Sequence, residues 1–372
     1  MKKILLLCAS SNSVRNFRQP LIKKLQNEGF RVGVCAFDED NKKLIEDLGV
    51  DFFCIPSYNR SLNPFHLMKQ KRNYKSLIKE YQPDIVFTFV LKPNTLGVMA
   101  AHKVGVKSIF SMVEGAGDAF INNSFKWKII RFIICRWYKK AFKRVNKVFF
   151  LNQDDRTEFI SRHLVREEQC ELIHGIGVDL ERFEKKPIKN NRTFLMVARM
   201  LKTKGIYEYC ECARLVKQKC PDAVFNYLGA ESTVKIADIQ QYIDDGSICY
   251  LGITKDVRPY LEECSALILP SFYREGLPMC IMEAEAVGRG IITSDNVGCR
   301  DTVIEGYNGF LVPKGEVKLM AEKVIWVIEN PEVAIEMGKN SRKFAEDHFD
   351  QEKINQKIFD IIAEDTSEGN RL

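Results

Sequence analysis

Short apolar runs alternate along this chain with stretches of helical period, and the alternation occurs in two series. Residues 4–8, 31–37, 85–89, 107–111 and 147–151 read as buried strands, with amphipathic helices at 19–27, 41–48 and 96–104 between them. The second series places strand-like runs at 194–198, 224–228, 248–251, 266–269, 290–293 and 309–312. A strand that is apolar along its whole length is covered on both faces, which calls for a parallel sheet with helices on each side. Two series in 372 residues predict an α/β chain of two domains. The polar stretch 184–192, with Pro187 and Asn190-Asn191, predicts the linker, giving domains at 1–185 and 192–345, a further helix at 346–362 and a frayed end.

Composition narrows the function classes. The cysteines are scattered, several inside apolar runs (Cys8, Cys35, Cys54, Cys249), and read as small buried thiols in a reducing compartment. Cys210, Cys212 and Cys220 have no histidine at zinc-like spacing. The Asp154-Asp155 and Asp244-Asp245 pairs read as solvated rather than metal-binding. The apolar run after Lys2-Lys3 is too short for a signal peptide, and no run is long enough to span a membrane. The first strand lacks a Gly-x-Gly-x-x-Gly turn, which argues against a dinucleotide-dependent dehydrogenase. Residues 1–186 carry 33 Lys and Arg against 20 Asp and Glu, whereas the remainder carries 23 against 29. The basic half therefore suggests an anionic partner, a membrane surface or nucleic acid.

Chemistry concentrates in the second half. The run at 266–269 passes through Pro270-Ser271 into Arg274-Glu275-Gly276-Leu277-Pro278-Met279, and a helical pattern follows that contains Glu283 and stops at Gly288. A helix N-terminus offers unpaired N–H groups and a positive dipole end to a phosphate. Glu283, about a turn into that helix, can accept hydrogen bonds from a ribose diol, and Glu275 stands just outside it. Two acids around a phosphate site suggest a nucleotide-sugar pocket, set against the plainer reading of a capped helix with two solvated glutamates. The strand at 194–198 likewise ends in Arg199 and runs to Lys204-Gly205 before a helix. Strand ends of open α/β sheets are where ligands gather, and Arg and Lys suit phosphate oxygens.

These motifs, with Gly306-Tyr307-Asn308-Gly309-Phe310-Leu311-Val312-Pro313, resemble the retaining glycosyltransferases of family 4. Ser61-Leu62-Asn63-Pro64-Phe65, Lys92-Pro93-Asn94-Thr95-Leu96-Gly97 and Val113-Glu114-Gly115-Ala116-Gly117 resemble the branch that extends undecaprenyl-diphosphate-linked bacillosamine with N-acetylgalactosamine. The resemblance implies the glycosyltransferase B fold, with two Rossmann-like domains whose parallel sheets face a cleft and a last helix that returns to the first domain. It implies transfer of an N-acetylhexosamine from a UDP-sugar to a lipid-diphosphate-linked saccharide, with retention, no cofactor and no metal. Glu275 would contact the donor sugar and Glu283 the ribose, with Gly276, Leu277, Pro278 and Met279 at the phosphates beside Arg199 and Lys204. Many relatives carry His-Gly, with the His near the donor sugar, where this chain has Glu114-Gly115, so Glu114 stands as either a base for the acceptor hydroxyl or a sugar-binding or structural carboxylate. Ser10, Ser11, Asn12 and Arg15 after the first strand, with Lys92, Asn94 and Thr95, are acceptor-side candidates. A nonhydrolysing UDP-sugar epimerase and a membrane-bound non-catalytic assembly protein remain as alternatives.

Residues 123–147 interleave nine Lys and Arg with aromatic and aliphatic side chains and contain no acid. That is the composition of an interfacial helix, which predicts a peripheral enzyme on the cytoplasmic face of an anionic membrane. A core helix with a solvated basic face is the alternative, and no nucleic-acid motif accompanies the charge.

Overall fold

Every strand pairing among the described residues is parallel, which explains why the central strands are unbroken apolar runs rather than apolar at alternate residues. The computed structural model describes residues 1–57, 63–121 and 124–368. Ser61 and Leu62 of the first-half motif, and Asn123 at the head of the basic segment, lie outside the described residues. The chain divides into two units. One holds Met1–Ile176 together with the chain from Glu352 onward; the other is Gly177–Gln351.

The first unit is built on β1 (Lys3–Leu7), β2 (Arg31–Ala36), β3 (Asp51–Cys54), β4 (Ile85–Phe89), β5 (Ser108–Val113), β6 (Lys147–Phe150) and β7 (Cys170–Leu172). Their order across the sheet is β3-β2-β1-β4-β5-β6-β7. The chain therefore winds one way from β1 and then reverses, leaving a crevice beyond the carboxyl ends of β1 and β4. Helix Gln351–Glu368 packs on this unit. Phe359 meets Phe30 edge-on at 6.4 Å, Lys357 donates to the Leu172 carbonyl, and Asn146 donates to Asp365 at 3.0 Å.

The second unit repeats the plan with β8 (Thr193–Val197), β9 (Val224–Leu228), β10 (Cys249–Tyr250), β11 (Ala266–Leu269), β12 (Gly290–Ser294) and β13 (Gly309–Val312), ordered β10-β9-β8-β11-β12-β13. Its reversal falls between β8 and β11. The polar stretch entering this unit does not hang free. The fully buried Arg289 guanidinium donates to the carbonyls of Lys186, Pro187, Leu261, Glu262 and Gly288, and Arg342 donates to those of Phe183 and Ala286. A buried guanidinium keeps its cost low only when its donors are met. Five carbonyls meet them here and fix residues 186–187 against the helix ends.

Helix Phe125–Phe142 buries Ile134, Tyr138, Ala141 and Phe142, so its C-terminal half belongs to the core. Its N-terminal half does the opposite. Phe125 is 79% exposed and Phe132 63%. No helix among the described residues is long and apolar enough to cross a membrane.

Candidate functional site

Because β8 and β11 are neighbours at the reversal, their following loops meet. The Thr203 carbonyl accepts hydrogen bonds from the N–H groups of Phe272 (2.7 Å) and Tyr273 (2.9 Å), stitching the loop after β8 to the loop after β11. Gly205 makes the approach possible: it sits at φ +80°, and a Cβ there would lie 2.1 Å from the Pro270 carbonyl oxygen. Any other residue would push the loops apart and strain the backbone. On the far side, Asn296 donates to the Ser271 carbonyl at 3.1 Å, and Gly298, at φ +80°, lets its backbone pass under Glu275 and Gly276, where a Cβ would meet their carbonyls at 2.7 and 2.8 Å.

The result is a half-buried ion pair. Lys204 Nζ contacts Glu275 Oε1, Ser271 Oγ donates to the same oxygen at 3.1 Å, and the ammonium lies 5.5 Å from the centre of the Tyr273 ring. Burial works against the Lys204 charge, but the Glu275 carboxylate and its hydrogen bond outweigh it and hold the ammonium above its ordinary pKa. Helix Met279–Val287 starts beside this pair, with Pro278 at its N-cap and no side-chain cap. The Ile281 and Met282 N–H groups already donate to the Pro278 carbonyl, at 3.1 and 3.3 Å, which leaves the N–H groups of Met279 and Cys280 without an intrahelical partner. Leu277 is buried and anchors the turn, Gly276 and Met279 flank it half-buried, and Arg199 stands exposed at the end of β8.

Glu283 lies further along the same helix, half-buried, with no side-chain hydrogen bond among the described residues. Burial pushes its carboxyl up to about 7, with Arg182 opposing and Asp256 adding to the shift. Such a group gains from a hydroxyl that donates to it. Asn308, in contrast, is wholly structural. It is fully buried, donates to Glu285 Oε1 (2.7 Å) and the Thr302 carbonyl (2.9 Å), and accepts from the Ile304 N–H (2.7 Å). Burial holds the Glu285 carboxyl well above the usual carboxylate range, with the Asn308 hydrogen bond opposing.

The first unit has its own crevice. Ser10 caps helix Ser11–Phe17 by accepting from the Ser13 N–H, and Ser11 is buried against Asp38. Asn12 and Arg15 are exposed on that helix, and Lys92 is half-buried after β4, its ammonium donating to Ser57 at 3.2 Å. Asn94 and Thr95 are not surface groups. Thr88 donates to Asn94, Asn94 donates to the Met112 carbonyl at 2.8 Å, and Thr95 donates to the Leu91 carbonyl at 2.7 Å. Both are fully buried and tie down the exit of β4.

Glu114, at the end of β5, forms an ion pair with Arg18, a residue the sequence patterns did not single out. Asp155 also departs from expectation. Rather than solvated, it is fully buried, accepting from the Ala116 N–H at 3.1 Å and from the Asn152 side chain. It fixes the turn that carries Glu114. Asp244 and Asp245 are exposed, and no group of three or more His, Cys, Asp or Glu side chains among the described residues is placed to hold a metal ion.

Comparison with known proteins agrees with this architecture. Residues 178–344 match the family described as glycosyl transferases group 1, and residues 3–152 the family described as glycosyl transferase 4-like. An N,N'-diacetylbacillosaminyl-diphospho-undecaprenol alpha-1,3-N-acetylgalactosaminyltransferase of Campylobacter jejuni is 29% identical over 94% of this chain and 96% of its own. A UDP-Gal:alpha-D-GlcNAc-diphosphoundecaprenol alpha-1,3-galactosyltransferase of Escherichia coli is 26% identical over 91% of this chain and 90% of its own. Among solved structures, Anabaena HepE in complex with UDP superposes with a TM-score of 0.81 at 20% identity, covering 98% of this chain and 100% of that one. Matched in both halves and sharing its fold from end to end, the chain belongs to the glycosyltransferases of the group 1 and 4-like type, with the glycosyltransferase B fold.

Proposed function

We propose that the protein transfers an N-acetylhexosamine from a UDP-sugar to a lipid-diphosphate-linked saccharide, with retention at the anomeric carbon and without a metal. The observation that carries the donor side is the Lys204–Glu275 pair at an uncapped helix N-terminus, with Arg199 exposed alongside. Glycosyl transfer leaves negative charge on the departing diphosphate. A lysine, the first-turn amides of helix Met279–Val287 and an arginine fixed around that position stabilise the charge where it develops. Lys204 is a point charge on a flexible stem, able to turn from Glu275 to a phosphate oxygen. Glu275, released, faces the donor sugar; Glu283 accepts from the ribose hydroxyls. The names of the two diphosphoundecaprenol transferases support the acceptor class.

A lipid-linked acceptor brings the enzyme to a membrane, and helix Phe125–Phe142 suits an anionic one. Phe125, Ile129 and Phe132 are exposed among Lys126, Lys128 and Arg136. Partial burial, and then repulsion from Lys140, Lys103 and Arg144, holds the Lys71 pKa below its usual value, so cations from neighbouring helices crowd one region. Each basic residue near an anionic surface contributes about 1 kcal/mol before screening.

The test is a panel of UDP-sugars offered with undecaprenyl-diphosphate-linked saccharides, reading UDP release and product mass. A product heavier by one N-acetylhexosamine, formed in the presence of chelator, is the expected result. No gain of a hexosamine by any lipid-linked saccharide, or epimerisation of the UDP-sugar alone, would overturn the proposal. For the membrane contact, Phe125→Ser with Phe132→Ser should release the protein from anionic vesicles in co-sedimentation, whereas unchanged binding would place the contact elsewhere.

A further inference from the structure

Arg18 lies at the junction between helices Ser11–Phe17 and Gln19–Asn27, just beyond the end of β1. Its side chain turns inward instead of toward water and is only 3% exposed. The guanidinium lies 4.3 Å from the centre of the Phe89 ring at the end of β4, approaches Met112 Sδ at 3.9 Å on β5, and pairs with Glu114. The ends of two neighbouring strands, β4 and β5, thus converge on one cation. Placing a charge on an aromatic face out of solvent is costly unless its donors are used, yet Arg18 Nε has no hydrogen-bond partner. The packing is therefore not optimised for stability alone.

Glu114 receives equal attention from its surroundings. Its side chain is about one-fifth exposed, and it has no side-chain partner besides Arg18 among the described residues. From behind, the buried Asp155 holds the following turn through the Ala116 N–H. Asp155 is held in turn by Asn152, which donates to its carboxylate and accepts from its N–H. The carboxylate is accordingly fixed through the backbone on one side and through Arg18 on the other, while part of it stays open to solvent. A carboxylate has several acceptor sites and a guanidinium uses some of them; the remainder suits a hydroxyl donor.

We infer that Glu114 accepts a hydrogen bond from a hydroxyl of the acceptor saccharide and orients it, and that Arg18 is the positioning residue that fixes the carboxylate for this task. The inference rests on the reading of the first unit as the acceptor side. It differs from a structural ion pair in what it demands: loss of the pair should damage transfer without touching donor binding. It also differs from a role in gripping phosphate, because Arg18 is occupied and enclosed whereas Arg199 in the second unit is exposed.

The experiment compares wild type with Glu114→Gln, Arg18→Met, Arg18→Lys and the double variant Glu114→Gln with Arg18→Met. UDP affinity by calorimetry and slow hydrolysis of UDP-N-acetylhexosamine by water report the donor side. The kcat for transfer and the KM for an undecaprenyl-diphosphate-linked saccharide report the acceptor side. Misplacing a reacting group typically costs about 100-fold, so Glu114→Gln and Arg18→Met should each lower transfer by roughly that factor, with UDP affinity and hydrolysis within about twofold of wild type. Arg18→Lys should recover part of the loss, and the double variant should be no worse than the poorer single one, because the two side chains act as a unit. Should Arg18→Met not fold, Glu114→Gln and Arg18→Lys carry the comparison. Transfer within about threefold of wild type in Glu114→Gln, or losses that multiply in the double variant, would overturn the inference. A wild-type protein that binds UDP but transfers to no saccharide would instead overturn the proposed function.

Discussion

Each unit places one cation–glutamate pair at the carboxyl end of its sheet, and the two pairs are built differently. In the first unit the cation is Arg18, enclosed, lying against Phe89 and touching a glutamate at the strand end. In the second it is Lys204, side chain 16% exposed, on a loop beside an uncapped helix N-terminus. A stacked, enclosed guanidinium has nowhere to go, whereas a lysine ammonium can exchange one oxygen partner for another by rotating its stem. The first arrangement holds a carboxylate still; the second holds a cation ready. The charge balance follows the same division, since the first half of the chain is basic and the second acidic. On the proposed function, a basic surface would draw the first unit to an anionic partner, while phosphate binding in the second would fall to two cations and a helix end rather than to net charge.

The comparison breaks most visibly at Lys204. Lys204→Ala should reduce transfer by two to three orders of magnitude, since one charge contact made in the transition state contributes roughly 3–4 kcal/mol. Near-normal turnover in a folded variant would remove the second unit's cation from the chemistry.

Next in size are two buried asparagines, one in each unit. Asn308→Ala strands the Glu285 carboxyl and the Ile304 N–H, whereas Asn94→Ala removes one partner from the Met112 carbonyl and one from Thr88, which keep others. Asn308→Ala should destabilise its unit by about 2–3 kcal/mol and Asn94→Ala by about 1 kcal/mol, each read as a lower midpoint in urea. If Asn94→Ala instead leaves stability intact and raises the acceptor KM, then Asn94 touches the acceptor after all.

A pH-dependent effect concerns Glu283. Its carboxyl keeps a proton up to about pH 7 in the folded protein but releases it near 4.3 when unfolded, about the ordinary value for a glutamate. Between those values the native state binds more protons, so stability falls as pH rises through that window. Glu283→Gln removes the slope: its Tm should match wild type near pH 5 and exceed it near pH 8. An equal difference at both pH values would show that Glu283 does not titrate there.

Much of this was legible in the sequence, for reasons tied to particular residues. The buried strands announced themselves because parallel sheets demand unbroken apolar runs, as in residues 4–7 and 266–269. β3, with the sequence Asp-Phe-Phe-Cys and only half-buried, did not stand out from its loop. Lys204, Glu275 and Glu283 stood out as candidates because a motif carries them close together in sequence or at a strand end. Arg18 was missed because its meaning depends on Glu114, distant along the chain and joined to it only through the order of β1, β4 and β5. Asn94 and Thr95 were acceptor-side candidates because of their position after a strand and the motif that they share with relatives. In the fold those side chains serve the backbone instead. Asp155 was misplaced because the burial of a carboxylate in the first turn of a helix leaves no local signature. The Thr203 carbonyl, which joins the two loops of the donor side, is a backbone atom and invisible to any reading of side chains.

The division of labour between the two pairs is tested most directly by calorimetric titration of UDP into wild type, Lys204→Ala and Glu114→Gln. A charge-assisted hydrogen bond contributes about 1.5–3 kcal/mol. Lys204→Ala should therefore weaken UDP binding by roughly tenfold or more, while Glu114→Gln leaves it within about twofold. Intact UDP affinity in Lys204→Ala, or equal losses in both variants, would contradict the assignment of the donor to the second unit.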